Sequence, residues 1–326
     1  MTPPSDAYRA AREAAVLIDR SDRIRIEFSG AKAVETLNGL FTNDVTKLMP
    51  GSGQYAAALT NKGKVIADVR VFALADRYLV DTSAAAGPGF SAMIKKYVNP
   101  RLASYRDVSA EFGTIGVFGA EAARVLAAAG GADGAQLRAL APYGHMVHKG
   151  GFWARVPDLG VDGFDVFAPT AVLADMRNAL ERSGATALDA AGADVLRVEA
   201  GRPLWGTDMD ENTLAQEAAL DRPDLAAISF DKGCYTGQET VARVHFRGHV
   251  NRTLRGLTCE AAPRSGARVA HGENLDAGLV RSTALSPRFG AIALAYVRRE
   301  IEDGAHVAIS WDGGETAAVV APLPFA

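Results

Sequence analysis

Residues 254–259 read Leu-Arg-Gly-Leu-Thr-Cys. They open a series of six short strand candidates that runs to the end of the chain. The others fall at 267–270, 278–283, 291–297, 307–311 and 317–320. Turns rich in Gly and Asp separate them and no helix of length intervenes, a pattern that predicts a small all-β barrel or sandwich. Upstream of residue 250 the texture differs. Residues 23–28 (Arg-Ile-Arg-Ile-Glu-Phe) alternate strictly and predict a half-buried strand, followed by a helix over 31–41 with Ser29 as its N-cap. Segments 69–74 and 78–81 predict a hairpin about Ala75-Asp76, and a helix over 88–98 is stopped by Pro100. Strands near 114–118, 152–156 and 164–167 mix irregularly with helices over 120–129, 170–182 and 187–200, around a loop at 130–135. This is α+β rather than a doubly wound sheet. The change of texture places a boundary near 245–252, with an α+β region over 1–245 and a barrel domain over 246–326.

At 326 residues, 48% hydrophobic and 22% charged, the chain has the composition of an ordinary globular protein with about two domains. A net charge of -3 supplies no global attraction to nucleic acid or an anionic membrane, and no aromatic-rich RNA motif occurs, so direct nucleic-acid binding is not expected. No apolar run approaches the roughly 20 residues that span a bilayer. Met1 to Arg12 has no apolar core of a secretory signal. Two cysteines, Cys234 and Cys259, are no disulfide framework and suit a reducing cytoplasm.

The densest chemistry lies at 232–239, Lys-Gly-Cys-Tyr-Thr-Gly-Gln-Glu. Cys234 sits between two glycines, two residues after Lys232 and just before a helical segment, where a cation and a helix N-terminus favour the thiolate. The alternative is a small buried thiol. Cys259, in a strand candidate, reads as packing. One reactive thiolate cannot hold zinc or an iron–sulfur cluster alone, because such sites take about four ligands; no metal-ligand set is expected, and a cluster would have to be shared with a partner. His245 or His249 could act as its base.

Three further segments carry polar groups. The basic run after the octapeptide includes Arg243, His245, Arg247, His249, Arg252 and Arg255; Arg243 and Arg247 share a helix face, either as a solvated edge or as a patch for carboxylate or phosphate. Residues 60–68, Thr-Asn-Lys-Gly-Lys-Val-Ile-Ala-Asp, combine hairpin-turn chemistry with Asp68 at the start of an apolar strand, where a carboxylate is partly buried and suited to acid–base work. Residues 197–206, Arg-Val-Glu-Ala-Gly-Arg-Pro-Leu-Trp-Gly, end a helix at Gly201, with Glu199 either functional or the partner of an arginine. The chain has no P-loop, no dinucleotide fingerprint and no nucleophile elbow, which counts against nucleotide hydrolases, classical dehydrogenases and α/β-hydrolases.

In order along the chain, 41–45 (Phe-Thr-Asn-Asp-Val), 63–68, 197–206 and 232–239 together resemble the folate-binding family that includes YgfZ and the glycine-cleavage T protein (aminomethyltransferase). The last motif is the signature of the YgfZ branch; the first three are shared with the T protein. The resemblance spans nearly the whole chain. It implies two interleaved ferredoxin-like α+β halves and a C-terminal β-barrel, and tetrahydrofolate or a derivative in a central cavity. Glu199 matches the pterin-contacting carboxylate; Asn43, Arg197, Trp205 and Lys232 come with the matching segments as cofactor-binding candidates, and Arg243 and Arg247, by charge, for the glutamate tail. The YgfZ branch implies an accessory role in assembly or repair of iron–sulfur clusters, supporting enzymes such as those that modify tRNA, with Cys234 as the essential thiol and assembly or client proteins as partners. That makes the chain an assembly factor with little or no turnover. The alternative is a folate-dependent one-carbon transferase, an aminomethyltransferase or demethylase, with Asp68 as acid–base residue. Where T proteins end a Gly-Gly-x-x-Asp-Asp segment with two acids, this chain has Ala67 and Asp68, and the long T-protein segment ahead of the first strand has no counterpart before residue 23.

Overall fold

The computed structural model describes residues 6–325; Met1 to Ser5, part of the stretch read as lacking a signal core, lie outside them. Two antiparallel-rich sheets and a barrel make up the chain. The first sheet has the order Gly53–Leu59, Val65–Ala73, Tyr78–Thr82, Ile24–Ser29, Ser104–Asp107. Along Val65–Ala73 the side chains alternate. Ala67, Val69 and Val71 pack under helices Ala33–Leu40 and Gly87–Tyr97 with Leu37, Phe90 and Ile94, while Phe72 faces the other way and meets Phe152 and Phe167 of the second sheet at 5.4 and 5.2 Å. Asp68 and Arg70 share that inward parity.

The second sheet runs Thr186–Ala187, Val16–Asp19, Phe112–Phe118, Gly163–Pro169, Gly151–Arg155, His145–His148. Helices Ala122–Gly130 and Leu173–Arg182 cover its outer face around Trp153, Phe164 and Leu180. Because Val16–Asp19 belongs to this sheet and the next five strands to the first, the two α+β halves interleave, as the resemblance implied. The six strand candidates of the C-terminal region all form, as Arg252–Cys259, Arg268–His271, Asn274–Ser286, Gly290–Arg298, His306–Trp311 and Gly314–Ala321, closing into a barrel. Closure leaves no unpaired edge, and helix Ala190–Glu199 packs against the barrel through Val195 and Val198, which meet Leu254, Ile292 and Leu294.

Several local expectations are corrected. Ser29 caps no helix; it lies in the strand Ile24–Ser29 and its hydroxyl bonds Ser104 Oγ at 2.9 Å. The helix starts at Ala33 instead. The helix expected from 187 begins at Ala190, because Asp189 caps it by accepting from Gly192 N. The loop at 130–135 already contains the first residues of helix Gly134–Ala139. The segment ahead of residue 23 holds helix Asp6–Glu13 and strand Val16–Asp19. Strand Gly53–Leu59, Gly-Gln-Tyr-Ala-Ala-Ala-Leu, escaped notice because alanine carries little strand preference; its neighbours on the sheet decide it.

Candidate functional site: a charged chamber and a second cavity behind it

A cavity of about 100 Å³ opens between the two sheets, lined by Arg20, Arg23, Tyr55, Asp68, Arg70, Asp158 and Arg202, with Arg197 and Leu204 at its wall. Four of these belong to the first sheet's side and the rest to the second sheet's connections and the segment after helix Ala190–Glu199. Arg70 is buried and reaches three carboxylates: Nε donates to Asp81 at 2.8 Å, and Nη1 to Asp165 at 2.6 Å and Asp158 at 3.0 Å. Arg20 meets Asp158 and Asp165 from the other side, at 2.6 and 3.2 Å. Burial alone would raise the Asp158 carboxyl, but Arg20, Arg70 and Arg202 hold it well below the usual carboxylate range.

Asp68 differs from Asp158. It is half-buried; its Oδ2 accepts from Tyr55 OH at 3.0 Å, and its Oδ1 is occluded with no partner among the described residues. Burial pushes its carboxyl up, with Arg23 opposing. Within one chamber, one acid is thus held ionised and another is poised to take up a proton, the separation of roles that acid–base chemistry uses. Tyr55 stacks on Tyr143 with centroids 6.2 Å apart, and the Arg202 guanidinium lies 5.7 Å over the Tyr55 ring while its Nη1 donates to Tyr143 OH at 3.1 Å.

Arg202 and Leu159 also line a second cavity of about 260 Å³, with Arg12, Glu199, Asp224, Arg288 and Phe325. The two cavities share a wall made by the turn after helix Ala190–Glu199. Gly201, at φ +62°, donates to Val198 O, and Arg202 N donates to Arg197 O. This is a Schellman end, and only a residue tolerant of positive φ allows it. Arg197 and Glu199 stand two positions apart, about 200° around the helix, and therefore serve different places. Arg197 donates to Asp208 at 2.7 Å, to the Arg202 carbonyl at 2.6 Å and to Ser282 Oγ of the barrel at 2.7 Å. Glu199 lines the larger cavity; Oε1 accepts from Tyr8 OH at 2.7 Å and Ser286 Oγ at 2.5 Å, and Oε2 accepts from Arg12. A barrel strand, the N-terminal helix and the central helix thus meet at one buried carboxylate. Arg12 Nε, occluded there, has no partner among the described residues.

The remaining candidates lie elsewhere. Asn43 bridges backbone, donating Nδ2 to the carbonyls of Tyr55 and Ala226 at 2.9 and 2.8 Å. Trp205 lines neither cavity but a groove on the outer side of the first sheet. Lys232, read as a cation beside Cys234 and as a cofactor contact, is buried, and its ammonium donates to the carbonyls of Asn38, Phe41 and Asn43 at 2.7, 2.6 and 2.8 Å, at the end of helix Ala33–Leu40. Burial pushes it down to about 8. Cys234 is exposed, four residues ahead of helix Gln238–Arg247, beyond the first turn where a helix terminus acts. Gly237 takes φ +87°, and a Cβ there would meet Thr60 O at 2.6 Å, so the turn is held tightly against residues 59–60. Neither histidine bonds Cys234 among the described residues; His245 stacks on Phe230 at 3.6 Å. Arg243 and Arg247 are exposed on that helix and line neither cavity. Cys259 is buried in the barrel, as expected, and burial raises its thiol to about 12. Among the described residues no group of His, Cys, Asp and Glu could hold a metal ion, and no helix is long and apolar enough to cross a membrane.

Sequence reasoning missed Tyr8, Arg12, Tyr55, Asp158, Arg202 and Ser286. Only Arg202 carried a signal, its place directly after the helix-ending glycine; the others converge from distant segments.

Residues 5–231 match the GCVT N-terminal domain and residues 252–326 the glycine cleavage T-protein C-terminal barrel domain. Proteins named aminomethyltransferase from Saccharopolyspora erythraea and Rubrobacter xylanophilus are each 32% identical over 98% of this chain, covering 88% and 85% of their own lengths. The crystal structure of the glycine cleavage system aminomethyltransferase T from Bartonella henselae superposes with a TM-score of 0.87 at 25% identity, covering 98% of this chain and 88% of that one. By both domain models and by these relatives, the chain belongs to the glycine-cleavage T-protein family.

Proposed function

We propose that the two adjoining cavities bind tetrahydrofolate or a derivative, and that the protein carries out folate-dependent one-carbon transfer with Asp68 as its acid–base group. The observation that carries this reading is Asp68 itself: a carboxylate facing an arginine-lined chamber, raised by burial, steadied by Tyr55 and left with one unpartnered oxygen. The donor set suits a reduced folate. Glu199 uses three of the roughly four lone-pair sites of a carboxylate and keeps one for a pterin N–H. Arg202 and Arg288 supply cations for a glutamate tail, while Arg12 stays on Glu199 at the pterin end; the first two replace Arg243 and Arg247 in that role. When bound, tetrahydrofolate supplies the nitrogens that carry a one-carbon unit; Asp68 holds or receives a proton beside them, and Tyr55 keeps its carboxyl oriented. The names of the relatives support transfer as the activity.

Calorimetric titration with reduced folates tests the binding. Glu199→Ala is expected to weaken it at least tenfold, and an unchanged affinity rejects the assignment. Incubation with tetrahydrofolate and amine donors tests the chemistry. Methylenetetrahydrofolate is expected to form, at a rate reduced about 10²-fold or more in Asp68→Asn, the usual size of a lost acid–base group; no product above background rejects transfer while leaving binding intact.

A second reading is favoured by a separate observation, the octapeptide. Lys232 anchors it inward while Cys234 faces out, and Ala67 stands where T proteins have a second acid. On this reading the protein is a YgfZ-type folate-binding accessory that supports iron–sulfur enzymes, including tRNA-modifying ones, and the thiol acts on a partner protein. Cys234→Ala is then expected to keep folate affinity yet abolish support of cluster-dependent enzymes in cells; full complementation by that variant rejects it.

A further inference from the structure

Among the described residues only Arg202 and Leu159 line both cavities, and of the two only Arg202 carries charge. It is buried, and its backbone is fixed by the helix end that Gly201 allows. Its charge is poorly compensated. Asp158, the carboxylate that acts on it, is already bonded by Arg20 and Arg70. The side-chain hydrogen bond that Arg202 donates goes to the neutral Tyr143 hydroxyl, at 3.1 Å. The acids of the larger cavity are taken as well, Glu199 by Arg12 and Asp224 by Arg222. An anion that enters there therefore meets Arg202 with its charge available.

On the chamber side, the same guanidinium lies 5.7 Å over the Tyr55 ring, and Tyr55 OH donates to Asp68 Oδ2 at 3.0 Å. Burial pushes the Tyr55 hydroxyl up and Asp68 adds to it, while Arg202 opposes both. A cation beside a phenol strengthens its hydroxyl as a donor, and a stronger donor favours the ionised form of the carboxylate that accepts from it.

We propose that Arg202 is a positioning residue that transmits occupation of the larger cavity to Asp68: a carboxylate seated against Arg202 neutralises the charge over Tyr55, weakens the Tyr55 donor and makes Asp68 the stronger base. The inference rests on the folate reading, in which a glutamate tail occupies that cavity, and adds that the tail arms the base. A pterin without a tail leaves Asp68 the weaker base. Arg20, Arg23, Arg70 and Asp158 also face the chamber, but they line that cavity alone and set a baseline that the tail does not alter.

The probe is p-aminobenzoylglutamate, the tail end of a folate without its pterin, with its dimethyl ester as the neutral control. Calorimetry measures binding to the full chain. Carbon-13 NMR of the Asp68 carboxyl, identified by its loss in Asp68→Asn, follows its titration. With the diacid bound, the Asp68 midpoint is expected to rise by about half a pH unit or more, roughly threefold in proton affinity; with the ester it should stay. Arg202→Met should show the raised midpoint without ligand and no further response, and Arg202→Lys, which keeps the charge, should restore part of the response. By reciprocity the diacid should bind about threefold more tightly once Asp68 is protonated, and Asp68→Asn should remove that pH dependence. An Arg202 that only supports the fold would move none of these; circular dichroism verifies that the variants fold. Diacid binding with an unmoved midpoint, or a wild-type midpoint in Arg202→Met, overturns the coupling and leaves the folate reading standing. Failure of the diacid to bind where tetrahydrofolate does overturns it too, because the tail then lies elsewhere, and failure of both to bind rejects the folate reading with it.

Discussion

The chamber and the octapeptide loop both bury a cation, and they compensate it differently. In the chamber, Arg70 is met by the carboxylates of Asp81, Asp158 and Asp165. In the loop, Lys232 is met by three neutral carbonyls. Full counter-charge keeps Arg70 ionised, with its proton held more tightly than usual although burial opposes it. Carbonyl dipoles offset burial only in part, so the Lys232 proton is held loosely, near pH 8. The first arrangement is a rigid electrostatic frame between two sheets; the second is a peg that ties a surface loop to the end of a helix. Beside each stands one group that the packing leaves open: Asp68 faces the chamber and Cys234 faces solvent.

Four experiments sharpen or break that contrast. Removing the frame should have the largest effect. Arg70→Met strands buried carboxylates and is expected to destabilise the fold by about 3–5 kcal/mol in urea denaturation; a loss below about 1 kcal/mol would mean the network contributes little. Removing the peg is next. Lys232→Met leaves three carbonyls without their donor and should cost about 2–3 kcal/mol. Its pH signature follows from the sign of the shift. Between pH about 8 and 10.5 the folded chain has released a proton that the unfolded chain still holds, so wild-type stability should rise with pH across that window relative to Lys232→Met. A flat difference curve would show that Lys232 keeps its ordinary proton affinity.

The outward groups should respond more mildly. A thiol reagent is expected to titrate one sulfur in the native protein, Cys234, and two in denaturant, because Cys259 is buried with its thiol raised to about 12. Capping Cys234 should change stability by no more than about 0.5 kcal/mol, as for other surface changes; two native-reactive thiols would contradict the buried placement of Cys259. The smallest effect is expected at the basic helix. Arg243→Ala and Arg247→Ala should leave stability within about 0.5 kcal/mol and reduced-folate affinity unchanged, while Arg288→Ala weakens it; a marked folate defect in Arg247→Ala would move the tail's path to this helix.

What was legible in the chain depended on distance along it. The barrel strands show as short segments between Gly- and Asp-rich turns, and closure of those strands on each other confirms them within a few residues. Gly201 marks its helix end because the αL position admits few other residues. Gly53–Leu59 did not show, since its three alanines acquire strand character only from the sheet around them. The order of the motifs was likewise visible, and so was the isolation of one cysteine from the other.

The sequence alone therefore determined the α+β-then-barrel division and the motifs that mark the T-protein family. Tertiary structure decided which of those motifs share a cavity. Arg197 and Glu199 are two residues apart, yet a helix turns them toward different rooms; Tyr8, Arg12, Glu199 and Ser286 are far apart, yet interleaved halves and a barrel strand bring them to one carboxylate. Lys232 looks like a surface cation until the end of helix Ala33–Leu40 is placed beneath it. Periodicity reports which way a side chain points from its own element, whereas a site is made where several elements meet, and that meeting depends on burial and charge compensation summed over the whole fold.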